Sequence, residues 1–154
     1  MSSLFISSSI LASSSIKPIT FEDFIRIKRT SDPQISPDGK LIAFVVTDMD
    51  IGKNTANSDI WVVPSTRGEP LRLTSSPKAD YNPRWSPDGK KIAFISTRGG
   101  TPQIWLIDPR GGEAYQLTNL STGASGVIWS PTGTKLAFVS SVYPDCADDE
   151  CNRE

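Results

Sequence analysis

The sequence predicts an all-β protein, a partial β-propeller of about two and a half four-stranded antiparallel blades preceded by a short helix. Three observations carry this prediction. A string with a Ser-Pro-Asp-Gly-Lys turn and an apolar run occurs at 35–44 and 85–94, and a close variant occurs at 129–138. A second string, centred on Ile-Trp, recurs at 58–74 and 102–118. The run after each turn is apolar at successive positions, which is typical of strands covered on both faces.

The repeat has a period of about 44 residues. Trp61 and Trp105 are 44 residues apart, whereas Ser36 and Ser86 are 50 residues apart. The first copy therefore carries 50 − 44 = 6 extra residues. We place them in an inserted loop within residues 48–58, because that stretch is polar and lies between the predicted second and third strands.

Each period predicts four short strands separated by turn residues. The first strand leads into Trp85 in the second copy and Trp129 in the third, with Ile35 at that position in the first. The third strand contains Trp61 or Trp105. Because all four tryptophans occupy repeat-equivalent positions, we interpret them as structural blade residues rather than as a ligand cage.

The Ser-Pro-Asp-Gly string predicts a hairpin connecting the first and second strands. Proline presets φ for the first turn position, and glycine tolerates the left-handed backbone that follows. Gly39, Gly89 and Gly133 occupy that glycine position in the three copies. Thr132 replaces the aspartate in the third copy, but Gly133 is kept, so all three copies are predicted to turn alike.

Two segments precede the blades. Residues 1–16 contain eight serines and no Lys or Arg, which favours a disordered Ser-rich start, with a divergent or truncated secretory signal as the alternative. Residues 17–30 predict a short helix, with Thr20 as its N-cap and with Phe21 and Phe24 on one face. We expect that face, which also includes Ile25 and Lys28, to pack on the propeller or on a neighbouring domain.

The predicted incomplete propeller covers residues 31–154. Blade 1 is expected at about 33–76, blade 2 at about 82–120 and a partial blade 3 at about 126–154. The third copy holds only its first two strands, and a propeller closes by completing a ring of typically four to eight blades. We therefore expect the chain to be the N-terminal piece of a longer protein, or the product of a truncated reading frame.

Composition excludes several classes of function. The chain has no histidine, so it cannot contain a Ser-His-Asp or Cys-His catalytic set or a zinc site that needs imidazole, and two cysteines cannot build an all-thiolate site. We expect no metal and no cofactor. The 16 basic and 17 acidic residues show no basic cluster, which argues against nucleic acid as a partner. No apolar run reaches the ~20 residues that span a bilayer.

The blade string resembles the propeller repeats shared by Tol-type periplasmic propellers and the prolyl oligopeptidase family of serine peptidases. A more specific resemblance runs from Thr20 to the C-terminus. Four segments resemble the start of bacterial prolyl-oligopeptidase-family enzymes of the acylaminoacyl-peptidase and dipeptidyl-peptidase branch: ITFEDFIRIKRTSDPQISPDGKLIAFVVTD (19–48), NSDIW (57–61), STGASGVIWSP (121–131) and VYPDCADDECN (142–152).

This resemblance implies a propeller of roughly seven blades over a C-terminal α/β-hydrolase domain that carries a Ser-Asp-His triad. It implies that this chain gates the access of peptide substrates to that hydrolase domain and has no catalytic residue of its own, because the chain contains no His and no G-x-S-x-G. Its substrate-binding residues stay unassigned. The alternatives are a Tol-type propeller that binds a protein or polysaccharide partner, and a truncated fragment without function.

Cys146 and Cys151 have three possible states: a local disulfide, ligands of a metal, or two free thiols. Four residues separate them, and a disulfide can close if their Cα atoms come within ~7 Å. The disulfide is favoured if the parent protein is exported. The sequence leaves open whether the protein is cytoplasmic or is periplasmic or secreted in a bacterium.

Overall fold

The computed structural model describes residues 17–153 as one short helix followed by ten strands in three antiparallel sheets. Residues 1–16, which we predict to be a Ser-rich start or a divergent signal, lie outside the described residues. Helix α1 spans Phe21–Ile25, and a 3-10 turn spans Cys151–Arg153 at the end of the described residues. The strands are β1 (Arg29–Ile35), β2 (Leu41–Asp50), β3 (Thr55–Pro64), β4 (Leu71–Arg72), β5 (Asp80–Trp85), β6 (Ile92–Ser96), β7 (Gln103–Ile107), β8 (Tyr115–Gln116), β9 (Ser125–Trp129) and β10 (Leu136–Val139).

The sheets radiate from their first strands. The strand order is β1-β2-β3-β4 in blade 1, β5-β6-β7-β8 in blade 2 and β9-β10 in blade 3. The first strands of successive blades contact one another, β1 with β5 and β5 with β9. Among the described residues, no comparable contact joins the fourth strands β4 and β8. This arrangement confirms the predicted all-β partial propeller.

Blade 2 is buried on both faces. Phe94 of β6 packs with Ile60 of blade 1, whereas its neighbour Ile95 points the other way and packs with Val127 of blade 3. All four of these side chains are fully buried. Burying an apolar side chain of this size contributes about 1.5–3 kcal/mol, so packing between blades is the main stabilising contribution at these seams. The apolar run in β6 is therefore explained by cover on both sides.

The extra residues of blade 1 lie within the predicted stretch 48–58, but the prediction that they form an inserted loop is wrong. They lengthen the β2–β3 hairpin, in which both strands are ten residues long and pair without interruption from Leu41↔Pro64 to Asp50↔Thr55. The equivalent strands of blade 2 have five residues each. Asn54 turns the chain with φ +49°, a conformation that Asn tolerates better than most residues, so the polar stretch can pair up to a tight turn.

Helix α1 is shorter than the predicted 17–30 segment, because the chain from Arg29 onward pairs with β2 as strand β1. Its N-terminus is a capping box, in which Thr20 and Asp23 each accept a hydrogen bond from the other's backbone N–H. Lys28 lies after the helix, so the predicted helical face does not include it. Phe21 and Phe24 remain 70% and 56% exposed, so they do not pack on the described part of the propeller, and packing on a neighbouring domain stays a prediction.

Candidate functional site

Each hairpin between the first and second strands is organised by its leading serine. In blade 2 the Ser86 hydroxyl donates to Asp88 Oδ1 at 2.7 Å and accepts from the backbone N–H of Lys91 at 2.9 Å. The Ser86 hydroxyl, followed by the N–H of Lys90, lowers the pKa of Asp88 by hydrogen bonding to its charged form. The serine is thus a structural part of the turn, in addition to the proline and glycine from which the hairpin is predicted.

The hairpin glycines all adopt the left-handed backbone. Gly39, Gly89 and Gly133 have φ values of +72°, +70° and +71°. The third hairpin lacks the aspartate, and there the hydroxyls of Ser130 and Thr132 lie 3.2 Å apart instead. The turn is therefore maintained by glycine and serine, while the acidic position varies.

Two of the four tryptophans link neighbouring blades. The indole Nε1–H of Trp85 donates to the backbone carbonyl of Gln34 at 2.9 Å, and that of Trp129 donates to the carbonyl of Arg84 at 3.0 Å. Each bond runs from the end of one first strand to the first strand of the preceding blade. In blade 1 the position belongs to Ile35, which is 64% exposed. The sequence could not reveal these bonds, because the acceptor is a backbone atom of another blade.

The other two tryptophans lie on the third strands. Trp105 lies beneath the Arg98 guanidinium, whose carbon is 4.8 Å from the ring centroid, and Lys28 Nζ lies 5.7 Å from the ring centroid of Trp61. Both are half-buried. The four tryptophans therefore divide between two positions of the blade and do not converge on one ligand.

Every first strand contains a left-handed residue at the same place. Asp32, Asn82 and Gly126 have φ values of +48°, +58° and +60°, and each lies where the pairing with the second strand shifts register. Asp, Asn and Gly are the residues that best tolerate this conformation. We did not predict this bulge, although its sequence signal is present: these three residues are spaced by 50 and 44 positions, as the repeat is.

The ends of the three first strands together line a groove of about 510 Å³. Because β1, β5 and β9 contact one another and the sheets diverge from them, this groove lies on the inner side of the arc. Its lining includes Gln34, Ile35, Arg84, Trp85, Ile128 and Trp129. All three blades contribute equivalent residues to this cavity, so we take it as the candidate functional site.

An ion pair between blades 1 and 2 lies beside the groove. Arg84 Nη1 is 3.0 Å and 2.9 Å from the two carboxylate oxygens of Asp32 and donates to the Pro83 carbonyl at 2.7 Å. Gln34 Nε2 donates to Asp32 Oδ1 at 2.7 Å. The rim carries exposed apolar side chains, Ile35 and Ile128, each 64% exposed. The groove thus offers one guanidinium within an otherwise uncharged lining.

A second polar region lies between blades 1 and 2, at Asp59 of β3 and Asp80 of β5. The buried carboxylate of Asp59 accepts from Arg72 Nη2 at 2.7 Å and lies 3.4 Å from the Thr74 hydroxyl. Burial raises the pKa of Asp59, despite the opposing effect of Arg72, and the nearby Asp80 raises it further. Asp80 is itself buried and pairs with Arg98 at 2.7 Å.

Cys146 and Cys151 are joined by a disulfide in the structure, with Cα atoms 5.3 Å apart. Within that loop Asp149 accepts hydrogen bonds from the Ser121 backbone N–H at 2.9 Å and from its hydroxyl at 2.8 Å, which fastens the loop to the connection between blades 2 and 3. We propose that the native protein carries this disulfide. A thiol titration of the denatured chain without reductant should find no reactive thiol, and two thiols per chain would refute the pairing.

Within residues 17–153, no three Cys, Asp or Glu side chains are arranged to hold a metal ion. In the same part of the chain, no helix has the length and apolarity needed to cross a membrane.

The repeated four-stranded blades and their links through the first strands define a β-propeller domain. Residues 11–145 match the sequence profile of the PD40 family, described as the TolB β-propeller domain. The chain belongs to this family.

The relatives of the chain are peptidases, as the predicted resemblance implied. The chain is 37% identical over 84 residues to the uncharacterized peptidase YuxL of Bacillus subtilis, covering 54% of the chain and 13% of YuxL. It is 30% identical over 85 residues to dipeptidyl-peptidase 5 of Porphyromonas gingivalis, covering 55% of the chain and 12% of that protein. The acylaminoacyl peptidase of Pyrococcus horikoshii is similar in structure, with a TM-score of 0.64 at 26% identity over 81% of this chain and 19% of that one.

The chain spans about an eighth of the length of these two curated relatives. What it shares with them is the propeller region.

Proposed function

We propose that the chain is the non-catalytic N-terminal propeller segment of a serine peptidase of the prolyl oligopeptidase family. The observation that carries the proposal is the structural similarity to an acylaminoacyl peptidase over 81% of the chain, at 26% identity. The two sequence relatives, both named as peptidases, support the same proposal. In it, the partner of the propeller is a C-terminal α/β-hydrolase domain, and its ligand is the peptide substrate.

The proposed role of the propeller is to gate the access of peptides to the hydrolase domain. The groove supports this role, because it lies where the first strands of successive blades meet, on the side that faces the central channel in a closed ring. Hydrogen bonds from Trp85 and Trp129 and an ion pair from Arg84 hold neighbouring first strands of its walls together. In the proposed role, a channel with walls tied in this way admits short, flexible peptides and excludes folded proteins.

The absence of His and of G-x-S-x-G from the sequence supports a non-catalytic segment. The purified chain should therefore not react with a fluorophosphonate serine probe, whereas a product of the same gene extended beyond Glu154 should react. The matched control is the extended product with its G-x-S-x-G serine changed to alanine, which should lose the label. Labelling of the 154-residue chain, or a gene that never reaches G-x-S-x-G and a later His, would refute the proposal.

A Tol-type binding propeller is the second candidate, because the matching family profile is that of the TolB propeller. A gene that continues with further blades and stops without a hydrolase domain would favour it. The third candidate, a truncated fragment without function, predicts aggregation or failure to fold when the chain is expressed alone. A cooperative unfolding transition of the soluble chain would refute this third candidate.

A further inference from the structure

We propose that Arg84 is a carboxylate receptor in the groove, and that the groove binds a short peptide carrying a carboxylate next to an apolar side chain. The inference rests on the proposed function for the premise that peptides reach this groove. It goes beyond that function in naming the chemistry of the ligand and the residue that recognises it.

The guanidinium of Arg84 uses only one of its three nitrogens. Nη1 makes all of its hydrogen bonds, to both carboxylate oxygens of Asp32 and to the carbonyl of Pro83. Within residues 17–153, no hydrogen bond involves Arg84 Nε or Nη2. These two nitrogens form a planar pair of donors, and such a pair binds a carboxylate through two parallel hydrogen bonds. The Arg84 side chain is 29% exposed and lines the groove, so this edge is open to a ligand.

The receptor is held in place before any ligand binds. Asp32 fixes the guanidinium through Nη1, and Gln34 Nε2 in turn fixes Asp32 at 2.7 Å. The backbone carbonyl of Arg84 accepts the indole N–H of Trp129, which anchors the strand that carries it. Because the side chain is already ordered, binding costs little additional conformational entropy.

The surroundings favour an apolar residue beside the carboxylate. Arg84 is the only charged side chain that lines the groove in the described part of the protein. Ile35 and Ile128 are each 64% exposed on its rim, and Trp85 and Trp129 complete the lining. A guanidinium in an apolar groove is weakly screened, which strengthens its attraction for a carboxylate. Asp32 opposes that attraction, because it already neutralises part of the charge.

Asp32 therefore provides the variant that separates recognition from structure. If the ion pair only ties blade 1 to blade 2, then losing either partner weakens the groove in the same way. If Arg84 recognises a carboxylate, Asp32→Asn should strengthen binding while Arg84→Gln abolishes the preference for it. Asparagine suits position 32, because Asn82 has the same left-handed conformation at the equivalent position of blade 2.

The experiment is a titration of the 154-residue chain, followed by the fluorescence of the groove tryptophans and repeated by calorimetry. The probes are N-acetyl-Ala-Ala-Phe with a free C-terminal carboxylate, its C-terminal amide, and N-acetyl-Ala-Asp-Phe amide. We expect the acid to bind about tenfold or more tightly than the amide, since a charge-assisted hydrogen bond is lost in the amide. If the Asp peptide binds tightly, the groove also recognises a side-chain carboxylate. If it binds weakly, recognition is restricted to the C-terminal carboxylate. Both results support a carboxylate receptor, provided that the acid binds more tightly than the amide.

The affinities of the groove variants are compared with that of a control variant at an arginine outside the groove. Arg84→Gln should remove the difference between acid and amide, and Arg84→Lys, which keeps the charge but loses the fork, should reduce it. Asp32→Asn should tighten acid binding by a few-fold. Arg110→Gln, at an exposed arginine paired with Asp108, should change nothing. Circular dichroism checks that each variant is folded.

Three results would overturn the proposal: equal affinity for acid and amide, weakening of acid binding by both Asp32→Asn and Arg84→Gln, or no binding of any probe by the folded chain. The outcome is independent of the serine-probe experiment. A Tol-type propeller without a hydrolase could still bind the acid through Arg84, and a peptidase propeller could bind no carboxylate here.

Discussion

Blades 1 and 2 join their third and fourth strands with the same backbone arrangement. The N–H of Ile60 donates to the Thr74 hydroxyl at 3.0 Å, and 44 residues later the N–H of Ile104 donates to the Thr118 hydroxyl at 2.9 Å. The threonine satisfies a backbone donor next to a buried strand in both blades. The same hydrogen bond, with the same donor and acceptor atoms, therefore occurs in both blades.

The side chain that supports this threonine differs between the blades. In blade 1 it is Asp59, which also binds Arg72, whereas in blade 2 it is Gln103. Gln103 accepts a hydrogen bond from the Thr118 hydroxyl at 2.8 Å and donates one to the Leu120 carbonyl at 2.7 Å. Both the oxygen and the nitrogen of its amide therefore have hydrogen-bond partners without a charged side chain. The repeat thus specifies a geometry that either a charged pair or a neutral amide can support, but only the charged version depends on a partner and on pH.

The largest expected effect on the free energy of unfolding comes from how fully a neighbouring blade buries the apolar side chains of each blade. Phe94 is fully buried between blades 1 and 2, whereas the equivalent Phe44 is half-buried, because it faces away from blade 2. Phe94→Ala should lower the free energy of unfolding by about 3–5 kcal/mol, through lost burial and a cavity. Phe44→Ala should cost clearly less. Urea denaturation of both variants measures this, and equal losses would contradict the difference in cover.

A smaller effect is expected from the charged network. Arg72→Gln leaves the buried Asp59 without its charged donor, and we expect a loss of about 1–2 kcal/mol, reduced by the partial exposure of Arg72. The matched variant Gln116→Ala, at the equivalent exposed position of blade 2, should cost about 0.5 kcal/mol. Adding Asp59→Asn to Arg72→Gln should recover part of the loss in urea denaturation. An additive double variant would show that the two side chains are not coupled.

The smallest effect is a pH dependence from Asp59 of blade 1, which the neutral Gln103 at the equivalent position of blade 2 cannot produce. Because burial raises the pKa of Asp59 above 3.8, the folded state keeps this proton to higher pH than the unfolded state does. Stability contributed by Asp59 is thus present below pH 3.8 and is lost as the pH rises through the raised pKa. Asp59→Asn should therefore gain stability relative to the wild type as the pH rises through that window.

Unfolding curves at several pH values between about 3.5 and 6.5 measure this difference. Gln103→Ala is the control, and its cost should be the same at every pH because no titrating group is removed. A constant difference between Asp59→Asn and the wild type would contradict the raised pKa.

Much of the fold could be predicted from sequence because each repeat carries its own turn and strand signals. The apolar run of β6 and the glycine at position 89 indicate a buried strand and a hairpin without reference to any other blade. The groove could not be predicted, because Arg84 and Ile128 belong to different copies and come together only when the first strands meet. Helix α1 was predicted too long, because its last turn competes with the pairing of Arg29 to Thr47 across the sheet.

The sequence by itself determined the blades, since strand alternation, turn residues and a 44-residue period are local properties of the chain. The tertiary structure decided what joins them. Trp85 and Trp129 have the apolar character of core residues, and nothing local distinguishes a packed indole from one that donates its N–H to the preceding blade. The physical reason is that such a bond depends on the distance between two sheets, which no pattern within either sheet contains.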